Sequence, residues 1–148
     1  MNIERLDHLV LTVRDLNAVC TFYTQVLGMT LMTASPDHQT LVFGSQHITL
    51  HPHDRAHPLR ALQPVPGSAN LCLITSVPIP QLMQRLNHYG VRVIEGPLKR
   101  PGARGMLLSI YCRDPDGNLL ELANDLSDCL AERRRYRPPA DDPIGPAS

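Results

Sequence analysis

Glu121 is a carboxylate set in an apolar run, Leu119-Leu120-Glu121-Leu122. On a strand it shares one face with Leu119 and Ala123, while Leu120 and Leu122 take the other. An unpaired buried charge is costly, so such a Glu takes a cation, a set of hydrogen bonds or a proton. The plain alternative is a partly exposed edge-strand Glu. His8 raises the same question near the other end of the chain. It lies in Leu6-Asp7-His8-Leu9-Val10-Leu11-Thr12-Val13, with Leu6, Val10 and Thr12 on its face. Both faces of that strand carry apolar groups, so it is expected to be covered on both sides, with His8 facing an interior. A lone His at such a place is more often a hydrogen-bonded core residue than a ligand. In HITLH, His47, Thr49 and His51 share a face opposite Ile48 and Leu50.

Other chemistry-bearing groups cluster late in the chain. Leu107, Ser109, Tyr111 and Arg113 share a strand face. If that face lines a site, Tyr111 can hydrogen-bond a substrate, and Arg113 or Ser109 can position a carboxylate or phosphate. Core packing with a satisfied hydroxyl is an equal alternative for Tyr111. Lys99, Arg100 and Arg104 fall in a Gly/Pro-rich stretch, 96–105, that reads as a loop. They can clamp an anionic tail such as a carboxylate, glutathione or CoA, or simply be solvated.

The elements that must position these groups follow from spacing. Asp-Pro-Asp-Gly-Asn (114–118) is a tight-turn signal between the apolar runs 106–112 and 119–123, which reads as a β-hairpin. Strand Leu6–Val13 precedes a helix, Ala18–Leu27, capped by Asp15 or Asn17 and stopped by Gly28. Its stripe is Val19, Phe22, Tyr23, Val26 and Leu27. Strands at 30–33, 40–43 and 47–51 follow, with a turn at 35–38. The Pro-rich stretch 52–68 reads as an irregular connection. A strand at 69–75, a helix at 78–89 stopped by Gly90, and a strand at 91–94 precede the hairpin. A short helix at 126–135 and a disordered tail from Pro138 are expected after it.

The second half repeats the first. With His8-Leu9-Val10-Leu11 laid over Asn70-Leu71-Cys72-Leu73, Gly28 falls on Gly90, and Ile48-Thr49-Leu50 matches Leu120-Glu121-Leu122. Each half reads β-α-β-β-β. One helix covers one face of a four-stranded sheet, so the other face must be buried or bind something. Two such sheets can close into a cup with His8, Asn70, Thr49 and Glu121 at four equivalent inward positions. The expected fold is α+β: two βαβββ modules (3–51 and 69–124) forming a cupped mixed sheet, with helices on the outer face.

The chain has 148 residues and a formal net charge of 0, which gives no global field for nucleic acid or an acidic membrane. Four scattered cysteines favour reduced thiols, with Cys72 and Cys112 packed in apolar strands. No apolar run approaches the ~20 residues of a membrane span. The first residues do not read as a signal peptide. A cytoplasmic address is expected.

The pattern resembles the vicinal oxygen chelate superfamily of glyoxalase I, fosfomycin-resistance proteins, extradiol dioxygenases and bleomycin-resistance proteins. Three motifs carry the resemblance: Asp7-His8-Leu9-Val10-Leu11-Thr12-Val13, Phe22-Tyr23-Thr24-Gln25-Val26-Leu27-Gly28, and Asp114-Pro115-Asp116-Gly117-Asn118-Leu119-Leu120-Glu121. Segments 43–51, 65–68 and 96–105 look more narrowly like the glyoxalase domain-containing protein 5 group. The resemblance implies paired modules around a divalent metal, with ligands from the first and last strand of each. His8 and Glu121 match ligand positions. Asn70 stands where many members carry His, and Thr49 where glyoxalase I carries Glu. His51 can replace the missing ligand, giving two imidazoles and one carboxylate for Zn, Ni, Mn or Fe. The alternative is a metal-free cup with His8 and Glu121 bonded to each other. The implied activity is a glyoxalase-like lyase or isomerase acting on a small vicinally oxygenated substrate, with Glu121 and Tyr111 catalytic. Asn70, Thr49, Arg113, Lys99, Arg100 and Arg104 would bind the substrate. An extradiol-type Fe(II) dioxygenase and a non-enzymatic, bleomycin-resistance-like binding protein are the other two readings. Small members often pair modules across a dimer, so a homodimer with mixed cups is expected.

Overall fold

The computed structural model describes residues 1–35 and 38–127. The chain runs through β1 (His8–Val13), α1 (Leu16–Thr21) with a π-helical continuation (Phe22–Val26), and β2 (Thr30–Ser35). Next come β3 (His38–Phe43), β4 (Gln46–Pro52), β5 (Asn70–Ile74) and α2 (Ile79–His88). It ends with β6 (Glu95–Pro101), β7 (Met106–Arg113) and β8 (Leu119–Asp125). The strands form two mixed four-stranded sheets, β1-β4-β3-β2 and β5-β8-β7-β6. In each module the first strand pairs in parallel with the last, and the remaining pairings are antiparallel. The duplication expected from sequence is therefore a duplication of topology. Residues 36 and 37 of the expected turn lie outside the described residues, as does the expected C-terminal helix and tail from residue 128.

Alternation assigns one face of each sheet to a helix. Leu9, Leu11 and Val13 of β1 and Ile48 and Leu50 of β4 pack under α1 against Val19, Phe22, Tyr23 and Val26. Ile110, Cys112, Leu120 and Leu122 pack under α2 against Ile79, Leu82 and Leu86, at helical spacing. These residues form one continuous core. Asp15 caps α1 by accepting from the Ala18 amide at 3.0 Å. The Thr24 hydroxyl then bonds the Cys20 carbonyl at 2.7 Å, and the helix widens, so that the Leu27 amide reaches Phe22 O rather than continuing the α pattern. The expected helix thus ends in a π turn.

The modules are joined at the Asp114 turn. Buried Asp114 accepts from the amides of Asp116 and Asn118 and from the Asn118 side chain. It also accepts from the hydroxyl of fully buried Tyr23 at 3.0 Å, across the two modules. The Arg14 amide donates to both Asp116 carboxylate oxygens at 3.2 Å. The Arg85 guanidinium of α2 closes the carbonyl end of the first helix at Gln25 and Val26.

Three expectations are corrected. Residues 91–94 are not a strand. The strand is β6, inside the stretch read as a loop. It is an edge, so Pro97 and Pro101 forfeit no ladder donor. Gly96 (φ +96°) lies against β7, where a Cβ would stand 2.5 Å from the Ser109 carbonyl oxygen. Second, the face of β1 that carries His8 and Val10 is exposed within the chain, not covered. Third, Cys112 is fully buried but Cys72 is exposed, on the open face of β5. The last two follow from one fact: strands β1 and β5 have no cover from their own chain on the side opposite the helices, whereas Thr49, Leu107 and Ser109 further in on those faces are buried.

Candidate metal and substrate site

The open face of module one is read directly from its register. His8 lies opposite His47, Val10 opposite Thr49, and Thr12 opposite His51. Thr40 and Val42 of β3 extend the same rows. The His8 and His47 rings stack with centroids 4.6 Å apart. Nδ1 of His8 stands 3.1 Å from the Asp7 carboxylate. A carboxylate only accepts, so Nδ1 donates this bond, which in the neutral imidazole leaves the Nε2 lone pair for an ion. The His8 bond, foremost, and then the Arg5 charge hold Asp7 below the usual carboxylate range. Asp7, His8 and His47 offer ligand atoms within 4.8 Å of one another, the one such group among the described residues.

His51 is carried elsewhere. It sits four residues along from His47, which is ~13 Å at strand rise, and its ring stacks on His57 of the 53–69 connection at 4.1 Å. The structure therefore brings His47, and not His51, to His8. Sequence alternation had put His47 on this face but left the β1–β4 register open, and only the register selects between the two.

On module two, Glu121 lies opposite Cys72 on one side and Tyr111 on the other. Fully buried Ser109, one step along β7, donates its hydroxyl to Glu121 Oε1 at 2.6 Å. Partial desolvation of the sulfur, followed by the charge and hydrogen bond of Glu121, pushes the Cys72 thiol up to about 11. Cys72 was missed as a site residue because an apolar strand context reads as packing. Asn70 is exposed on the same face, opposite Leu119. Arg113 is committed locally, donating to Gly117 O at 2.8 Å. Arg100 registers with Leu107 and Lys99 with Leu108, so Arg100 shares the Tyr111 face and Lys99 the helix side. Arg104 stands in the β6–β7 turn and lowers Asp125 by its charge, after the Ser127 bonds.

The two faces complement each other chemically. Imidazole nitrogens are on one module and a braced carboxylate is on the other. That N/O donor set fits a first-row divalent ion that keeps positions open for a substrate. In one chain the faces belong to separate sheets, and Glu121 is not in the His8 cluster.

Three kinds of likeness bear on this arrangement. The profile of the Glyoxalase/Bleomycin resistance protein/Dioxygenase superfamily matches residues 5–122. Virulence protein STM3117 of Salmonella typhimurium is 46% identical over 123 residues, 83% of this chain and 85% of that protein. Its crystal structure superposes with a TM-score of 0.80 at 45% identity, covering 84% of this chain and 98% of that one. Glyoxalase domain-containing protein RDO1 of Mycosarcoma maydis is 43% identical over 124 residues, 84% of this chain and 70% of that protein. Lactoylglutathione lyase of Agrobacterium tumefaciens shares the fold with a TM-score of 0.64 at 21% identity, over 84% of this chain and 96% of that one. TnmS3, an antibiotic binding protein of Streptomyces sp. CB03234, shares it with a TM-score of 0.66 at 24% identity, over 84% and 98%. These matches support the superfamily and not the narrower glyoxalase domain-containing protein 5 group.

Proposed function

The chain belongs to the Glyoxalase/Bleomycin resistance protein/Dioxygenase superfamily, and from that premise we propose a metal-dependent lyase or isomerase of glyoxalase type. Its substrate is a small molecule with two neighbouring oxygens. His8 and Glu121 are the ligands, and register favours His47 over the expected His51 as the second imidazole. The observation that carries the reading is the pair of preset donors. His8 has its tautomer fixed by Asp7, and Glu121 is oriented by Ser109. Ligands in metal sites are commonly held by such outer partners.

The ion supplies Lewis-acid stabilisation of negative charge developing on the substrate oxygens. The chain does the rest. Tyr111 and Asn70 hydrogen-bond the substrate from module two, and Thr49 does so from module one. Arg100 offers a cation to a carboxylate on the open face, while Arg113 stays bonded to Gly117 O, Arg104 stands in the β6–β7 turn and Lys99 falls on the helix side. Glu121 is a ligand.

Each cup forms between module one of one chain and module two of another, in a homodimer working in the cytoplasm. The exposed Val10 (47%), Met32 (60%) and Ile74 (57%) support this pairing, because apolar side chains on a sheet face gain by being covered. No helix among the described residues is long and apolar enough to cross a membrane.

The test mixes two inactive chains. His8→Ala and Glu121→Ala chains each bind no Zn(II) alone. After co-refolding, heterodimers hold one intact cup, so about a quarter of the sites return. No return on mixing, with a monomer mass by light scattering, overturns the shared cup. A thermal-shift screen with thiol conjugates, catechols and acyl-CoA compounds then identifies the substrate class. Oxygen uptake with a catechol marks the dioxygenase instead, and ligand binding without metal marks the binding protein.

A further inference from the structure

Glu121 has two carboxylate oxygens with different surroundings. Oε1 accepts a 2.6 Å hydrogen bond from Ser109 Oγ. Ser109 is on the central strand β7 and is fully buried. It is pinned from both neighbours, registering with Leu98 of β6 and Ala123 of β8. Gly96 lies close against its carbonyl, where any larger residue would push β7 away. The hydroxyl therefore has little freedom to release Oε1. Glu121 is also hemmed on its other side by Cys72, its register partner on β5. His8, by contrast, is steered by Asp7, whose side chain is 61% exposed, and by stacking on His47.

We propose that Ser109 is a positioning residue that holds Glu121 to one-oxygen ligation, with Oε1 kept by Ser109 and Oε2 presented to the ion. This rests on the reading of Glu121 as a ligand. It also sharpens that reading, because a carboxylate tethered in this way stays a fixed ligand rather than leaving the ion to carry a proton. The base in a proton-transfer reaction then has to be another group on the open faces, and Tyr111, the register partner of Glu121 on β7, is one candidate there.

The experiment uses the full chain with Co(II) as the probe, followed by visible absorption and by titration calorimetry. The unaltered chain is expected to bind Co(II) with the intense bands of a low-coordinate site. Ser109→Ala is expected to weaken binding by about 10- to 100-fold and to weaken the bands, as a freed carboxylate ligates through both oxygens. Ser109→Thr keeps the hydroxyl and is expected to restore both affinity and spectrum. Circular dichroism checks that each variant is folded, and Ser109→Cys, of closer volume, replaces the Ala variant if that one does not fold. Unchanged Co(II) affinity and spectrum in a folded Ser109→Ala or Ser109→Cys chain overturn the proposal while leaving Glu121 a ligand. No Co(II) binding by the unaltered chain overturns the ligand reading and the proposal together.

Discussion

The two modules share a topology but present their chemistry in opposite ways. Module one offers imidazoles at the start of β1 and β4, stacked on each other and held by a solvent-exposed Asp7. Module two sets a single carboxylate in the middle of β8, bonded to a buried serine and beside a thiol. Module one does bring a carboxylate, Asp7, within 4.8 Å of its imidazoles, but the braced carboxylate is on module two. The lesson is that duplication here repeated the fold without repeating the side chains on its open faces. Thr49 occupies the position equivalent to Glu121, and Asn70 the one equivalent to His8. At these equivalent positions module one carries the imidazole and module two the carboxylate.

The contrast can be broken hardest at the joint. Asp114 collects four hydrogen bonds, one of them from the other module. Asp114→Ala is expected to destabilise the chain by about 3–4 kcal/mol in urea unfolding, because buried donors lose a charged acceptor. A loss below about 1 kcal/mol would mean the turn holds without it.

Next in size is ion affinity. His8→Ala and Glu121→Ala should each lower Zn(II) affinity by more than about 100-fold in calorimetry, with the thermal midpoint unmoved in His8→Ala and lowered in Glu121→Ala, where buried Ser109 loses its acceptor. If one of them alone matters, the site belongs to a single module and the distributed picture fails. His47→Ala should then cost about 10-fold and His51→Ala almost nothing, with the reverse order restoring His51 as the ligand.

Smaller effects sharpen the picture. Tyr23→Phe removes one hydroxyl donor to Asp114 and should cost about 1 kcal/mol by the same urea measurement. Cys72 should be slow to alkylate at pH 8, because its thiol is raised to about 11 and little thiolate exists below that pH. Mass spectrometry across a pH series should show its reaction rising towards pH 11. Glu121→Gln removes the nearby charge and should shift that rise to lower pH.

Much of the fold was legible from local pattern. Alternation in LDHLVLTV and in 119–123 correctly grouped the side chains that share a face, though it promised β1 cover on both sides. The 3.6-residue stripes located both helices, and Asp-Pro-Asp-Gly-Asn located the hairpin turn. The errors came where local chemistry and tertiary role diverge. Gly96, Pro97 and Pro101 spell a loop, yet an edge strand accepts them because one of its sides needs no ladder donors. The apolar residues of β1 promised burial on both sides, yet a chain taken singly leaves one side open.

The sequence by itself determined the repeat, the order of elements and which side chains point together, because each depends on spacing within a few residues. Only the tertiary structure decided that His47 rather than His51 sits beside His8, that Ser109 braces Glu121, and that Arg100 and Lys99 part to opposite faces. Those depend on the register between strands far apart in the chain. A slip of one residue there turns every side chain over, and no local pattern records it.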